Sequence, residues 1–234
     1  MAGSFSLEGW YILLRWIHVL SGITWIGMLY YFNLVQTPFF ASELGGQAKS
    51  LMTRGLVPNA LWWFRWGAMF TFITGVLYLL TRWGHESVPL ASDYMTRILT
   101  GALLGTTMWA NVWFVIWPAQ QVVIANATKV AAGGEADPAA APRGARAGLA
   151  SRTNTLFSIP MLFFMVSASH FNSLGIEKNL TLYWIFTLVL VGVLEANALF
   201  GTGQARQKPL STVSGTIHMG LALTFILFAA LLLL

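Results

Sequence analysis

The sequence predicts an all-α fold, an integral membrane bundle of about six transmembrane helices forming one domain over residues 1–234. Hydrophobic residues make up 56% of the chain and charged residues only 9%, against roughly a quarter charged in soluble domains. Mean hydropathy is +0.66. Six apolar runs each exceed the ~20 residues that cross a hydrocarbon core of about 30 Å, and together they leave no room for a separate soluble domain.

The first run, 10–34, has no basic region ahead of it, is too long for a secretory signal and lacks a small-residue cleavage site, so it is expected to be retained as a helix. The second and third runs are 60–81 and 98–124. The stretch 125–154, with GGEADPAAAPRGARAG at its centre, is expected as a mobile cytoplasmic linker between two three-helix groups, 1–124 and 155–234. The fourth run, 155–174, holds Pro160, where a kink or a helix start is expected. Pro38, Pro58, Pro89, Pro118, Pro138, Pro142 and Pro209 fall at span ends or in loops, where a missing N–H costs least. The fifth and sixth runs are 180–201 and 212–234. Trp10, Tyr11, Tyr30, Tyr31, Trp62, Trp63, Trp83, Tyr94, Trp117, Tyr183 and Trp184 stand at span edges and fit interfacial belts.

The cations set the orientation. Lys49, Arg54, Lys129, Arg143, Arg146, Arg152, Arg206 and Lys208 fall on one side, Arg82, Arg97 and Lys178 on the other. The bias puts the loops after spans one, three and five in the cytoplasm and both termini on the periplasmic side of a bacterial inner membrane. The net charge of +5 comes from basic residues scattered singly rather than gathered in a patch, which argues against nucleic acid as a partner. The chain has no cysteine. That excludes disulfides, iron–sulfur clusters, thiolate metal sites and the attachment of a c-type haem within it.

An ionisable residue inside a bilayer costs about 2.5–3.5 kcal/mol on insertion scales, so each needs a partner or a task. Those within the spans are His18, His170 and His218, Arg15, Arg65 and Glu195, accompanied by Asn111 and Asn197; His85 sits in the loop TRWGHESVP. Counted at 1.5 Å per residue, His18 and His170 both lie in the outer half, roughly 12 and 6 Å deep. They are the expected axial ligands of a b-type haem, with His218 as the alternative. Ser21, Gly22 and Trp25 share a face with His18 in RWIHVLSGITWIG and admit either a flat macrocycle or a neighbouring helix. Arg65 and Glu195 are expected at similar depth in the inner half, near Asn197 and His218, as an ion pair, an anion pocket, a haem-propionate site or a proton relay.

Four stretches together resemble the membrane domain of the bacterial urate oxidase (urate hydroxylase) family: RWIHVLSGITWIG in the first span, WFRWGAMFTFITG (63–75), NVWFVIWPAQQVV (111–123) and SRTNTLFSIPMLFFMVSASHF (151–171). The resemblance extends over roughly the first three quarters of the chain. It implies a multi-helix inner-membrane protein that oxidises urate to 5-hydroxyisourate and passes the electrons to a cytochrome c domain fused at the C-terminus. His170 matches the histidine near the end of the family's fourth-span motif, whereas Thr153 stands where the family tends to carry His. The chain ends at Leu234 without a cysteine, so a short form without the cytochrome domain is expected.

The expected function is therefore that of a b-type haem protein in redox chemistry, with a separate cytochrome c or other membrane redox subunit as partner. Urate hydroxylation and plain electron relay both remain open, and no catalytic residue is assigned. The alternative is a non-catalytic accessory subunit of a larger respiratory membrane complex. A transporter ranks third, because the halves show no inverted repeat and no paired broken helices.

Overall fold

A computed structural model describes residues 6–171, 179–200 and 205–234, and these are helical with no strand among them. Helix α1 (Leu7–Tyr30) passes through a π-helical segment (Tyr31–Gln36) into α2 (Thr37–Phe40), and α3 (Glu43–Glu86) returns across the bundle. Next come α4 (Asp93–Ala110), a second π-helical segment (Asn111–Ile116) and α5 (Trp117–Ala131) in one continuous rod, then α6 (Ala140–His170), α7 (Leu180–Phe200), a 3₁₀ turn (Ala205–Ser211) and α8 (Val213–Leu233). Side-chain caps start four of them: Ser6, Ser42, Ser92 and Thr212 accept from the N–H groups of Gly9, Gly45, Met95 and Gly215.

Among the described residues, five helical stretches are long and apolar enough to cross a membrane: Leu7–Phe40, Glu43–Glu86, Asp93–Ala131, Leu180–Phe200 and Val213–Leu233. Their outward faces carry Ile12, Trp16, Ile23 and Phe225, all more than half exposed, a surface that only lipid satisfies. The protein is thus a multi-pass membrane protein. The expected fourth span is the exception, and its packing supplies the reason. Helix α6 packs against α1, α4, α5, α7 and α8, so it faces protein rather than lipid and keeps Thr153, Asn154, Thr155, Ser158 and Ser167 buried.

Two close crossings set the helix registers. Along α1 and α3, Trp10 Nε1 donates to Thr81 Oγ1 (3.2 Å), Arg15 Nε donates to Tyr78 Oη (2.9 Å), His18 meets Thr74, and Thr71 Oγ1 lies 3.1 Å from Ser21 Oγ. Moving forward along α1 from Trp10 to Ser21 moves back along α3 from Thr81 to Thr71, the mark of an antiparallel pair. Gly67 permits the approach, since a Cβ there would lie 3.0 Å from the Trp25 backbone nitrogen. Trp25, 1% exposed, and Ser21 are therefore taken up by helix–helix contact. Between α6 and α8 the same device sits opposite a proline. Pro160 has no N–H for the Leu156 carbonyl, and Gly220 of α8 lies against that carbonyl, where a Cβ would come within 2.9 Å of its oxygen and 2.5 Å of Ile159 Cδ1.

Several expectations are corrected. Pro160 neither starts nor breaks a helix, because α6 begins twenty residues earlier and continues through it. Pro58 lies inside the 44-residue α3 rather than at a helix end. The stretch 125–154 is not a long loop: α5 runs to Ala131 and α6 starts at Ala140, as its alanine content favours. The turn between them is ordered by Gly133 at φ +83, by Gly134 N–H on the Lys129 carbonyl and by Asp137 N–H on Asn126 Oδ1. Tyr183 is a core residue, 1% exposed with its hydroxyl 2.7 Å from Thr100 Oγ1, rather than part of a belt. Arg97 is buried, not a loop cation. Its guanidinium donates to the carbonyls of Ser167 (2.7 Å) and Phe171 and pairs with Asp93 at 3.6 Å, closing the C-terminal end of α6. Lys178, Gly201 and the last residues of 155–174 lie outside the described residues.

Gly220→Ala is expected to lower stability by about 1–3 kcal/mol through overpacking, whereas Gly27→Ala, whose new methyl meets nothing within 4 Å, stays near wild type. Thermal melts of the two detergent-solubilised variants check this, and equal midpoints would refute the Gly220–Leu156 crossing.

Candidate functional site

The polar centre of the bundle is one turn of α6, residues 151–154, held from two sides by the π-helical segments. The π turns have a local cause. Pro38 and Pro118 follow directly after them, and a proline ring collides with the carbonyl four residues back. The chain widens instead, so that Thr37 N–H reaches Phe32 O and Trp117 N–H reaches Val112 O, five residues back. Each widened turn carries one buried asparagine. Asn33 Nδ2 donates to Leu29 O (2.9 Å) and to Ser151 Oγ (2.7 Å). Asn111 Nδ2 donates to Asn154 Oδ1 (2.9 Å) and to Glu195 Oε2 (3.0 Å), while Asn154 Nδ2 donates to Met108 O (2.9 Å). Four helical segments thus share one hydrogen-bond network inside apolar surroundings, where each unmade bond is costly.

Glu195 accordingly answers to Asn111 and not to Arg65. The Arg65 guanidinium lies over Trp117 at 3.6 Å and beside Trp113 at 5.6 Å from the ring centroids, a cation–π arrangement. Its Nε has no hydrogen-bond partner. The expected Arg65–Glu195 ion pair is absent among the described residues. Asn197 contributes its carbonyl, which accepts from Gln207 Nε2 at 2.7 Å.

The histidines divide by height. Tyr30 Oη donates to Ser158 Oγ at 2.9 Å, since the Ser158 proton goes to Thr155 O. From that bond, twelve residues back along α1 and twelve on along α6 lead to His18 and His170, each roughly 18 Å away. The two therefore lie toward the same end of the bundle, level when counted from this bond and about 6 Å apart when counted from the Asn33–Ser151 bond. His218 does not: α8 runs parallel to α6 with Gly220 at Leu156, which puts His218 level with Asn154, roughly 24 Å along the bundle from His170. Protonation is the same in all three. Thr74 Oγ1 gives its own proton to Phe70 O, so His18 Nδ1–H donates to it at 3.2 Å. His170 and His218 donate from Nδ1 to the carbonyls of Val166 (3.0 Å) and Ser214 (2.7 Å). Among the described residues each ring keeps the Nε2 lone pair free, the arrangement found where an imidazole binds a metal and its other nitrogen is fixed by an oxygen. Gly75 makes room for the His18 ring, as a Cβ there would stand 3.0 Å from Cε1.

A cavity of about 360 Å³ opens beside this centre at the end of the bundle where most cations gather. It is lined by residues of the α1–α2 rod (Asn33, Leu34, Thr37, Pro38, Ala41), by Arg152 and Thr155 of α6, and by Ser211, Thr212, Val213 and Thr216 around the start of α8. Asn33, Ser151, Arg152 and Asn154 had no assigned role from sequence. The signal was present in the SRTN quartet and in the two prolines that follow an asparagine by five and seven residues. Among the described residues, no group of three or more His, Asp or Glu side chains is placed to hold a bare metal ion.

A protein-family model described as urate oxidase N-terminal matches residues 87–229. The matched stretch contains two of the four motif segments, 111–123 and 151–171, together with Asn111, His170, Glu195, Asn197 and His218, whereas His18, Trp25 and Arg65 precede it. No curated protein and no solved structure matches the chain.

Asn154→Leu is expected to cost about 1–3 kcal/mol by stranding Asn111 and the Met108 carbonyl. Thr153→Val, which removes a buried hydroxyl that has no partner, should be neutral or stabilising by up to ~1 kcal/mol. Denaturation midpoints of both variants test the network; a tolerated leucine at 154 would show that the polar centre carries no stability.

Proposed function

This chain belongs to the urate oxidase N-terminal family, and from that premise we propose that it is a membrane-embedded oxidoreductase. In this reading it oxidises urate and hands the electrons, through a b-type haem, to a c-type cytochrome lying outside this sequence. The observation that carries the haem is that His18 and His170 lie toward the same end of the bundle, each with Nδ1–H engaged and with Nε2 free among the described residues. The donor set fits, because two neutral imidazoles with fixed tautomers are what a low-spin haem iron takes in a chain without thiols. A haem bound there would supply one-electron transfer between substrate and cytochrome.

The protein's own groups do the rest. Thr74 and Val166 O fix the two rings, and Gly75 lets the His18 ring lie against α3. Arg15, one turn from His18 and bonded to Tyr78, and Arg82, paired with Glu86 at 2.8 Å, supply cations for the propionates at that end. Oxidation of urate to 5-hydroxyisourate takes up one water and releases two protons and two electrons. The electrons leave through a partner in this reading, since the chain has no cysteine to attach a c-type haem beside the b-type one. The excess of cations at the opposite end supports an orientation in a bacterial inner membrane with both termini in the periplasm.

A reduced-minus-oxidised absorption spectrum of the purified protein tests the haem. Expected are b-type Soret and α bands that disappear in His18→Ala and in His170→Ala and survive in His218→Ala. Absence of the bands together with absence of bound porphyrin by mass analysis would reject it. Urate loss in the presence of added cytochrome c tests the activity.

A further inference from the structure

We propose that the cavity between the α1–α2 rod, α6 and α8 is the binding site for the purine-type anion, with Arg152 as the group that recognises its charge. This assignment rests on the reading of the chain as a urate oxidoreductase and adds a place where the anion is taken up, at the cation-rich end, roughly 24 Å along the bundle from His170 and so apart from the haem position. The volume of about 360 Å³ falls in the small-molecule range and holds roughly a dozen waters at about 30 Å³ each. Arg152 is the one charged side chain on its wall. Among the described residues it has neither a hydrogen-bond partner nor a carboxylate, and a half-buried guanidinium so placed calls for an anion.

The remaining wall narrows the class. Asn33 is 8% exposed, and both its amide protons are spent on Leu29 O and Ser151 Oγ. Its Oδ1 accepts nothing and stays available as an acceptor. Four of the five hydroxyls are spent in the same way: Thr37 donates to Phe32 O, Thr155 to Ser151 O, Ser211 to Lys208 O and Thr216 to Thr212 O. Those four offer the cavity lone pairs, while Thr212, which accepts from Gly215 N–H, keeps its proton. A site with one fixed cation and mostly acceptors around it suits an anion that also carries N–H donors and disfavours sulfate, whose oxygens only accept. The urate monoanion carries both delocalised charge and ring N–H groups. The first turn of α8, whose N-terminal end bears partial positive charge, adds to the field of Arg152.

The site lies on the level of the 151–154 turn, so ligand contact at Asn33 and Arg152 bears directly on the network that ties α1 and α4–α5 to α6. Two hydroxyl-bearing walls, from α1–α2 and from α8, come from elements that do not bond each other across the cavity among the described residues. The binding geometry is therefore completed by α6 alone, which contributes the cation.

Urate binding to the detergent-solubilised full chain, measured by equilibrium dialysis, tests the assignment. Wild type should bind saturably. Arg152→Gln should raise Kd by roughly tenfold or more, and Arg152→Lys, which keeps the charge but loses the planar fork, by less. Sulfate at equal concentration should not displace urate. Equal affinity in wild type and in both variants, with urate turnover intact, overturns this site and leaves the oxidoreductase reading standing. Displacement by sulfate overturns the ligand class. A wild-type protein that neither binds nor consumes urate overturns both. Circular dichroism melts identify a misfolded variant, and the lysine variant then carries the comparison.

Discussion

The arrangement depends on one constraint, that polar backbone and side-chain groups inside an apolar bundle find their partners within the protein. The turn 151–154 of α6 meets it for three other segments at once. Ser151 takes Asn33 from the α1–α2 rod, and Asn154 takes Asn111 and reaches Met108 O in the α4–α5 rod, while Asn111 extends the network to Glu195 of α7. Because these bonds are short and directional, they fix rotation and height of each helix about α6. Apolar packing alone leaves helices freer to slide. The levels of His18, His170 and His218 follow from that register, so the geometry of any cofactor between helices is set some 18 Å away from it.

Proline and glycine complete the same logic. Pro38 and Pro118 widen the helix just before them, and the widened turns are where the two asparagines enter the core. Pro160 frees a carbonyl in the centre of α6, and Gly220 brings the α8 backbone against it. At the far end of α6 the buried Arg97 performs the corresponding task for the terminal carbonyls. Helix α6 thus packs against five other helices and buries its polar residues among them, which is why it can be the least apolar of the long helices in the bundle.

Legibility in the sequence varied with how local the cause was. Helix number, order and approximate bounds were readable because a membrane span is a contiguous run of side chains. Helical periodicity predicted that Ser21, Gly22 and Trp25 share a face with His18, and α3 occupies that face. Other features were misjudged because they depend on what lies opposite. Pro58 and Pro160 look like helix ends until a surrounding bundle holds the helix through them. Arg97 looks like a loop cation until the end of α6 is found over it. Arg65 and Glu195 have equal depth, yet depth says nothing about azimuth, and the neighbours that claim them are Trp117 and Asn111.

By itself the sequence determined that this is an all-α membrane protein without thiol chemistry in this chain, since composition and the absence of cysteine do not depend on folding. It also carried the family resemblance, in segments such as 111–123 and 151–171. The tertiary structure alone decided which asparagine meets which carbonyl, that His18 and His170 lie toward one end of the bundle and His218 toward the other, and that Arg152 faces a cavity rather than a carboxylate among the described residues. Those outcomes are relations between distant segments, 128 residues apart at the Tyr30–Ser158 bond. They are fixed only when the rods dock on α6 in one register, because hydrogen bonds buried in an apolar medium leave no alternative partner.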